Sequence, residues 1–434
     1  MHITEDTQQH IKGITLSRPK ERAFFCTITI DTHSHATDAR TQALQYVYVK
    51  AIVAGTQKYT RGEFLNALGL LGASLSTSLH NGYFTVSMTS TDTNARALFK
   101  LVRNALVTPA FLTTELRRIK ELVINELREE QEDAKDRAQD LFVNNLYGSH
   151  DRRFTAQASD IEAAVKTVTK KDIELFHEYV LSGNWVYTLV GETELVENLR
   201  TELIKMRDHF LSQTPITPGH EPVMSQKMRV SLLAIPSKHN IEFSIGNNVS
   251  LLITDKDYAA FNFGLQVLGK WGGFAGRLMS TVREKKGLTY GIYARTETVS
   301  SFETGYWRIM TFFAPNKALE GLKATLTEIE NICVNGVTQS EYERFKTIIA
   351  TGETLLNDSI VRIARDLHIY QVAGLSLSDM KSYKAQFTNT SLEDVNAALK
   401  KYLDTATITI AGAGPINTVE KDIHALCSLA KKTK

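Results

Sequence analysis

At 434 residues, with 43% apolar and 23% charged side chains, the chain is ordinary globular material, long enough for two or more domains with cores of their own. Fifty basic against 48 acidic residues leave a net charge of +2, which excludes the basic field that recruits nucleic acid or an anionic membrane. Its three cysteines, Cys26, Cys333 and Cys427, are odd in number and lack Cys-x-x-Cys spacing, against both a disulfide framework and a thiolate zinc site.

The first residues, MHITEDTQQHIKG, have no basic region and no apolar run, so no export signal is expected in them. No stretch approaches the roughly 18 apolar residues of a membrane span. The expected compartment is a reducing cytoplasm, or the periplasm for a chain whose leader has been cleaved. FFCTITID (24–31) reads as a strand, and His33 and His35 near its end are too close in sequence to share a helix face. GASLSTS (72–78) has the small alternating residues of an exposed edge strand that leaves room for a second chain. YFTVSMTS (83–90) reads as another strand. The segment 91–109 then sets Leu98, Leu101, Val102, Ala105 and Leu106 on one helical face. A second helix follows over 111–127, with Thr113 and Thr114 as candidate caps and Leu116, Ile119 and Val123 on its apolar face. Glu174 and His177 form an isolated Glu-x-x-His on a helix of surface character, expected to be exposed polar decoration.

Pro215, Pro218 and Pro222 fall within nine residues near the midpoint and read as a linker. Beyond it the pattern repeats. SLLITD (250–255) and GYWRIMTFF (305–313) read as strands. Leu319, Leu322, Leu326 and Ile329 mark a helix, and VTQSEYERFKTIIATGE follows as the next. Glu115, Arg118 and Lys120 match Glu341, Arg344 and Lys346 at a constant offset of 226 positions. Each half closes with a short helix and a β-branched strand, at 169–191 and 391–412. The expected fold class is therefore α+β: two similar domains, 1–212 and 227–434, joined by a linker at 213–226. Each domain is expected to be a mostly antiparallel sheet with helices on one face.

GTQKYTRGEF (55–64), LGASLSTS (71–78), SIVRIARDL (359–367) and the long string GKWGGFAGRLMSTVREKKGLTYGIYA (269–294) together resemble the insulinase/pitrilysin family of inverted-zincin metallopeptidases. The resemblance runs over essentially the whole chain and is nearest to the short, two-domain branch related to mitochondrial processing peptidase. It implies two similar α+β domains per subunit and a chamber of four such domains, which two short chains build together. In that family His-x-x-Glu-His on a helix and a distant Glu hold zinc, and the motif's Glu is the general base. An Arg and a Tyr seven residues apart contact the substrate from the opposing domain.

The resemblance places Tyr46 and Lys50 at the two histidine positions, Val49 at the catalytic glutamate and Glu126 at the distant ligand. A phenol must lose a proton of pKa near 10 to bind zinc, an ammonium repels a dication, and valine takes no proton. No zinc is expected in this chain; the metal is expected in a partner. Glu126 has two readings, a solvated carboxylate at the edge of the charge run ELREEQEDAKDR or a partner for Lys50. Arg283 and Tyr290 match the Arg/Tyr pair; the bland alternative is a salt-bridge arginine and a core tyrosine. Gly72, Ala73, Ser74, Leu75 and Ser76 are the candidate peptide-binding strand. Gly269, Gly272, Gly273 and Gly276 suit a phosphate loop poorly, since no Gly-Lys-Ser/Thr follows; in the processing-peptidase branch a comparable segment contacts substrate.

The implied function is a zinc-less subunit of a heterodimeric metallopeptidase, lending Arg283 and Tyr290 to a His-x-x-Glu-His homologue that cleaves peptides. The alternatives are a scaffold or assembly pseudo-peptidase, and a homodimeric peptide-binding chamber without proteolysis. No nucleic-acid or membrane partner is expected.

Overall fold

The computed structural model describes residues 1–8, 10–32, 38–210, 228–270, 275–356, 359–403 and 405–429. The expected linker 213–226, His33, His35, Gly272 and Gly273 lie outside the described residues. The first half opens with β1 (His2–Gln8) and β2 (Ile11–Ser17), a hairpin that the sequence reading does not anticipate. Then come β3 (Ala23–Asp31), α1 (Ala39–Ala51), α2 (Arg61–Leu70), β4 (Ser74–His80) and β5 (Tyr83–Thr91). Five helices follow: α3 (Asp92–Val107), α4 (Thr113–Glu132), α5 (Ala134–Leu146), α6 (Ala158–Thr167) and α7 (Lys170–Leu181). The half ends with β6 (Asn184–Gly191) and α8 (Thr193–Asp208).

The second half runs β7 (Arg229–Ala234), β8 (Ile241–Val249), α9 (Tyr258–Gly269), β9 (Ile292–Glu297) and β10 (Gly305–Phe313). It continues through α10 (Ala318–Asn335), α11 (Gln339–Leu356), α12 (Ile360–Val372), α13 (Leu377–Asn389) and α14 (Leu392–Tyr402). β11 (Thr409–Gly414) and α15 (Glu420–Leu429) complete it.

Local chemistry accounts for many of these boundaries. α7 and α14, which precede the last strand of each half, begin in matching capping boxes, Thr169 with Asp172 and Ser391 with Asp394. Side chains alternate along β5 between buried and half-buried, as a strand with two unlike faces requires. Two expectations are corrected. Thr113 and Thr114 lie inside α4, whose cap residue is Leu112 with no side-chain cap bond; buried Phe111, with its ring 5.4 Å from that of His177, anchors the chain just before it. SLLITD is a loop, because the ladder between β8 and β10 ends at Val249 opposite Gly305. Leu251 and Ile253 still enter the core from that loop, so their apolarity mimics a strand.

The six-stranded sheet has the order β1-β2-β6-β3-β5-β4, and the five-stranded sheet the order β7-β11-β8-β10-β9. Without β1 the orders coincide strand for strand. The β2–β6 and β7–β11 pairs are parallel and the remaining pairs antiparallel.

The helices do not keep to one face. α5 leaves its own half and lies on the five-stranded sheet, with Phe142, Val143, Leu146 and Tyr147 against Tyr306 and Ala411, and Ala134 and Ala138 against Ile235 and Ala413. α12 makes the reciprocal move. Its Ile360 and Ala364 share a core with Ile14, Leu16, Phe25 and Val190, and His368 hydrogen-bonds Thr29 (2.8 Å) and Thr188 (3.0 Å) of the six-stranded sheet. The two helices start at Ala134 and Ile360, the same offset of 226 that relates Glu115 to Glu341. Each sheet is thus covered on one face by its own helices and on the other by a helix of the other half. Every large apolar side chain buried this way contributes about 1.5–3 kcal/mol to joining the halves.

Candidate functional site

Helices α1 and α4 pack antiparallel, and two residues one turn apart on each meet in register. Lys50 Nζ donates to Glu126 Oε1 at 2.9 Å and lies 2.7 Å from Oε2. Tyr46 Oη donates to Glu130 Oε2 at 3.1 Å. The spacing i, i+4 puts Tyr46 and Lys50 on one face of α1 and Glu126 and Glu130 on one face of α4. Of the two readings of Glu126, the pair with Lys50 is the one present. Val49 is half-buried between them, and its carbonyl accepts a hydrogen bond from Thr77 Oγ1 of β4 at 2.8 Å.

These residues line a cavity of 460 Å³. Its wall also contains groups that the sequence reading misses: Glu130, Asp136 and Arg137 of the charge run, with Asp140, Arg152 and Arg153 beyond it. The i, i+4 step from Glu126 to Glu130 is the one signal that could have found a partner for Tyr46. The arginines fold back on acids of both halves. Arg153 pairs with Asp151 at 2.7 Å and with Glu303 at 3.1 Å, and Arg152 also pairs with Glu303. Burial raises the carboxyl pKa values of Glu130, Asp136 and Asp140, and neighbouring carboxylates raise them further. Burial and then the Glu130 carboxylate also push the Tyr46 hydroxyl well above its usual range.

That donor set does not fit zinc. Tyr46 is held protonated, donating to Glu130, and the Lys50 ammonium occupies the Glu126 carboxylate, which the resemblance makes the distant ligand. Among the described residues no group of three or more His, Cys, Asp or Glu side chains could hold a metal ion.

The edge strand is placed as expected, since β4 ends the six-stranded sheet and its outward residues are exposed. Its Thr77–Leu79 and His80 end, with Asn81, lines the cavity; Gly72, Ala73, Ser74, Leu75 and Ser76 lie at the other end and do not. Arg283 and Tyr290 sit in neither place. They line a separate concavity of 640 Å³ on the second half, with Asn240, Phe312 and Lys317. Arg283 belongs to a π-helical turn, Met279–Lys285, and Tyr290 follows it in a loop that precedes β9. Buried Leu288 anchors that loop, and Lys317 Nζ donates to the Gly287 carbonyl at 2.9 Å. The tyrosine is 83% exposed, so it is not core filler.

His177 corrects another expectation. It is buried, its Nδ1 lies 3.0 Å from the Tyr48 hydroxyl, and burial pushes its pKa down to about 4. Periodicity around Phe176 and Val180 turns this face of α7 into the core, while Glu174 stays exposed beside Lys170. Gly269 ends α9, and Gly276 adopts φ +116 where a Cβ would meet backbone of Leu268 and Gly269, a packing role.

Residues 167–349 match the family model of the peptidase M16 inactive domain. That match spans under half of the chain and makes it similar to the insulinase-like M16 peptidases. It superposes on the peptidase M16 inactive domain from Pseudomonas fluorescens with a TM-score of 0.82 at 21% identity, over 96% of this chain and 98% of that one. An uncharacterized zinc protease of Mycobacterium tuberculosis is 21% identical over 65% of this chain, and the match spans 64% of the relative's length. The non-peptidase homolog YmxG of Helicobacter pylori is 28% identical over 36% of this chain and 35% of its own length. The match to an inactive domain and the likeness to a non-peptidase homolog support a zinc-less pseudo-peptidase. No helix among the described residues is long and apolar enough to cross a membrane.

Proposed function

We propose that this chain is the non-catalytic subunit of a two-chain metallopeptidase. It lends Arg283 and Tyr290 to a peptide that a homologous, His-x-x-Glu-His-bearing partner cleaves, with residues 1–212 and 227–434 as its two repeat units. The reading is carried by one contrast. Lys50 and Glu126 close the zinc position on themselves, whereas Tyr290 stands 83% exposed in an open concavity beside Arg283. In the complex the guanidinium offers a planar fork of donors to peptide carbonyls. The tyrosine hydroxyl donates to the carbonyl oxygen as it gains negative charge. The edge strand at Gly72–Ser76 and β4 supplies backbone hydrogen-bonding groups for strand addition. The charge balance and the odd, scattered cysteines favour the cytoplasm.

The test is mixing. The chain alone has no metal-dependent peptidase activity, and activity appears with the partner. Tyr290→Phe in the complex lowers kcat about 100- to 1000-fold, the loss expected for one transition-state donor. A scaffold subunit gives a complex whose activity ignores Tyr290, and a peptide-binding homodimer gives no activity with any partner.

A further inference from the structure

α5 is the helix of the first half that lies on the five-stranded sheet. It rests there on small side chains, with Ala134 and Ala138 against Ile235 and Ala413. A carboxyl group shares that seat. Glu242 of β8 stands directly opposite Ala413 of β11 and Phe312 of β10, so it projects from the sheet face that α5 covers. It is half-buried, and among the described residues it makes no hydrogen bond and no ion pair. A carboxylate there has given up water without gaining a donor, whereas the neutral acid sits among alanines at much lower cost.

The charged groups around Glu242 come from five segments. α5 brings Lys135 and the capping Asp133, while its Asp136, Arg137 and Asp140 line the cavity beside Lys50. β11 has no charged residue, and Arg308 of β10 is held by Glu297 at 2.7 Å. The loop from β7 to β8 carries Lys238 and His239, and Glu132 at the end of α4 accepts from Ser237 of that loop at 3.2 Å. Burial raises the Glu242 carboxyl to about 7; the Lys135 ammonium offsets part of the rise and the Asp133 carboxylate adds to it.

We propose that Glu242 is a pH-sensitive latch for α5: protonated, it lets the helix seat on the sheet of the second half, and ionised, it loosens that seat by drawing water beneath the helix. The direction follows from linkage. When α5 lifts and water reaches the carboxyl, its pKa returns toward the ordinary 4.5, against about 7 when seated. The seat is therefore strongest below about pH 4.5, weakens as pH rises to 7 and levels off above that. The latch is independent of the peptidase reading. Because α5 supplies Asp136, Arg137 and Asp140 to the cavity beside Lys50, the latch also sets how firmly that wall is held.

Hydrogen exchange of the intact chain tests this on the α5 amides, read as protection factors so that the intrinsic acceleration of exchange with pH divides out. Protection of α5 should fall about tenfold between pH 6 and pH 8, the ratio that carboxyl values of 4.5 and 7 give. Glu242→Gln keeps the neutral shape and cannot ionise, so it should remove that fall. Protection that stays level in the wild type overturns the proposal, as does a fall of equal size in Glu242→Gln. A carbon-13 NMR titration of the wild-type Glu242 carboxyl decides the matter even if the variant folds poorly: a midpoint near pH 7 is expected, and one below about pH 5 overturns the latch.

Discussion

Lys50→Met and Glu126→Gln, alone and together, probe the ion pair that stands where a metal would. Opposite charges held 2.7 to 2.9 Å apart attract by about 6 kcal/mol at an effective permittivity of about 20. The two side chains are 28% and 35% exposed, so screening, desolvation and side-chain entropy offset most of this and leave a coupling of about 1 kcal/mol. The single variants should differ. Lys50→Met leaves the Glu126 carboxylate facing Glu130, whose carboxyl pKa the Glu126 charge already helps to raise, and should cost about 2 kcal/mol. Glu126→Gln relieves that repulsion while losing the pair, and should cost about 1 kcal/mol. The double variant should fall short of additivity by about 1 kcal/mol. Urea titrations followed by tryptophan fluorescence measure this, since Trp185 is buried in the core of the same half. Costs that add within about 0.3 kcal/mol would refute the pairing.

Stability should also fall on the acid side for a reason seated in two histidines. Burial lowers the pKa values of His177 and His368 to about 4, below the ordinary value near 6.5. The unfolded chain therefore binds protons that the folded chain refuses, and stability present above about pH 6.5 is lost as pH falls toward 4, by up to about 3 kcal/mol per histidine. Denaturation midpoints measured across that range should show the loss, and His368→Gln should remove about half of this histidine contribution; an unchanged slope would count against it. The exchange of α5 and α12 predicts a dependence between halves. Residues 1–210 and 228–434 expressed separately should each be insoluble or molten by near-ultraviolet circular dichroism, and should regain native signal when refolded together. Two independently folded halves would contradict the interlocked packing.

Period and composition made much of the fold legible. β10 was readable because GYWRIMTFF is a β-rich run whose bounds coincide with its ladder, and α3 because five of its core residues keep helical spacing. Tyr46, Val49 and Lys50 stood out because they precede a tail that resembles the one after a zinc motif. What escaped depends on which element meets which. An amphipathic helix announces that one face is buried but not against which sheet, so the crossings of α5 and α12 leave no trace in spacing. The same limit hid Arg152, Arg153, Asp136 and Asp140 from the site, since long-range packing alone brings them beside Lys50. His177 was misjudged because a histidine carries no burial signal of its own; Phe176 and Val180 on its helix carry it.

The central claim is that this polypeptide has surrendered metal chemistry to another and kept the groups that meet substrate. Zinc analysis of the chain purified alone, and of the same chain co-purified with a His-x-x-Glu-His homologue, tests it most directly. The account predicts no stoichiometric zinc and no hydrolysis for the lone chain, and about one zinc per pair together with peptidase activity in the complex. One zinc per lone chain, with activity, would contradict it.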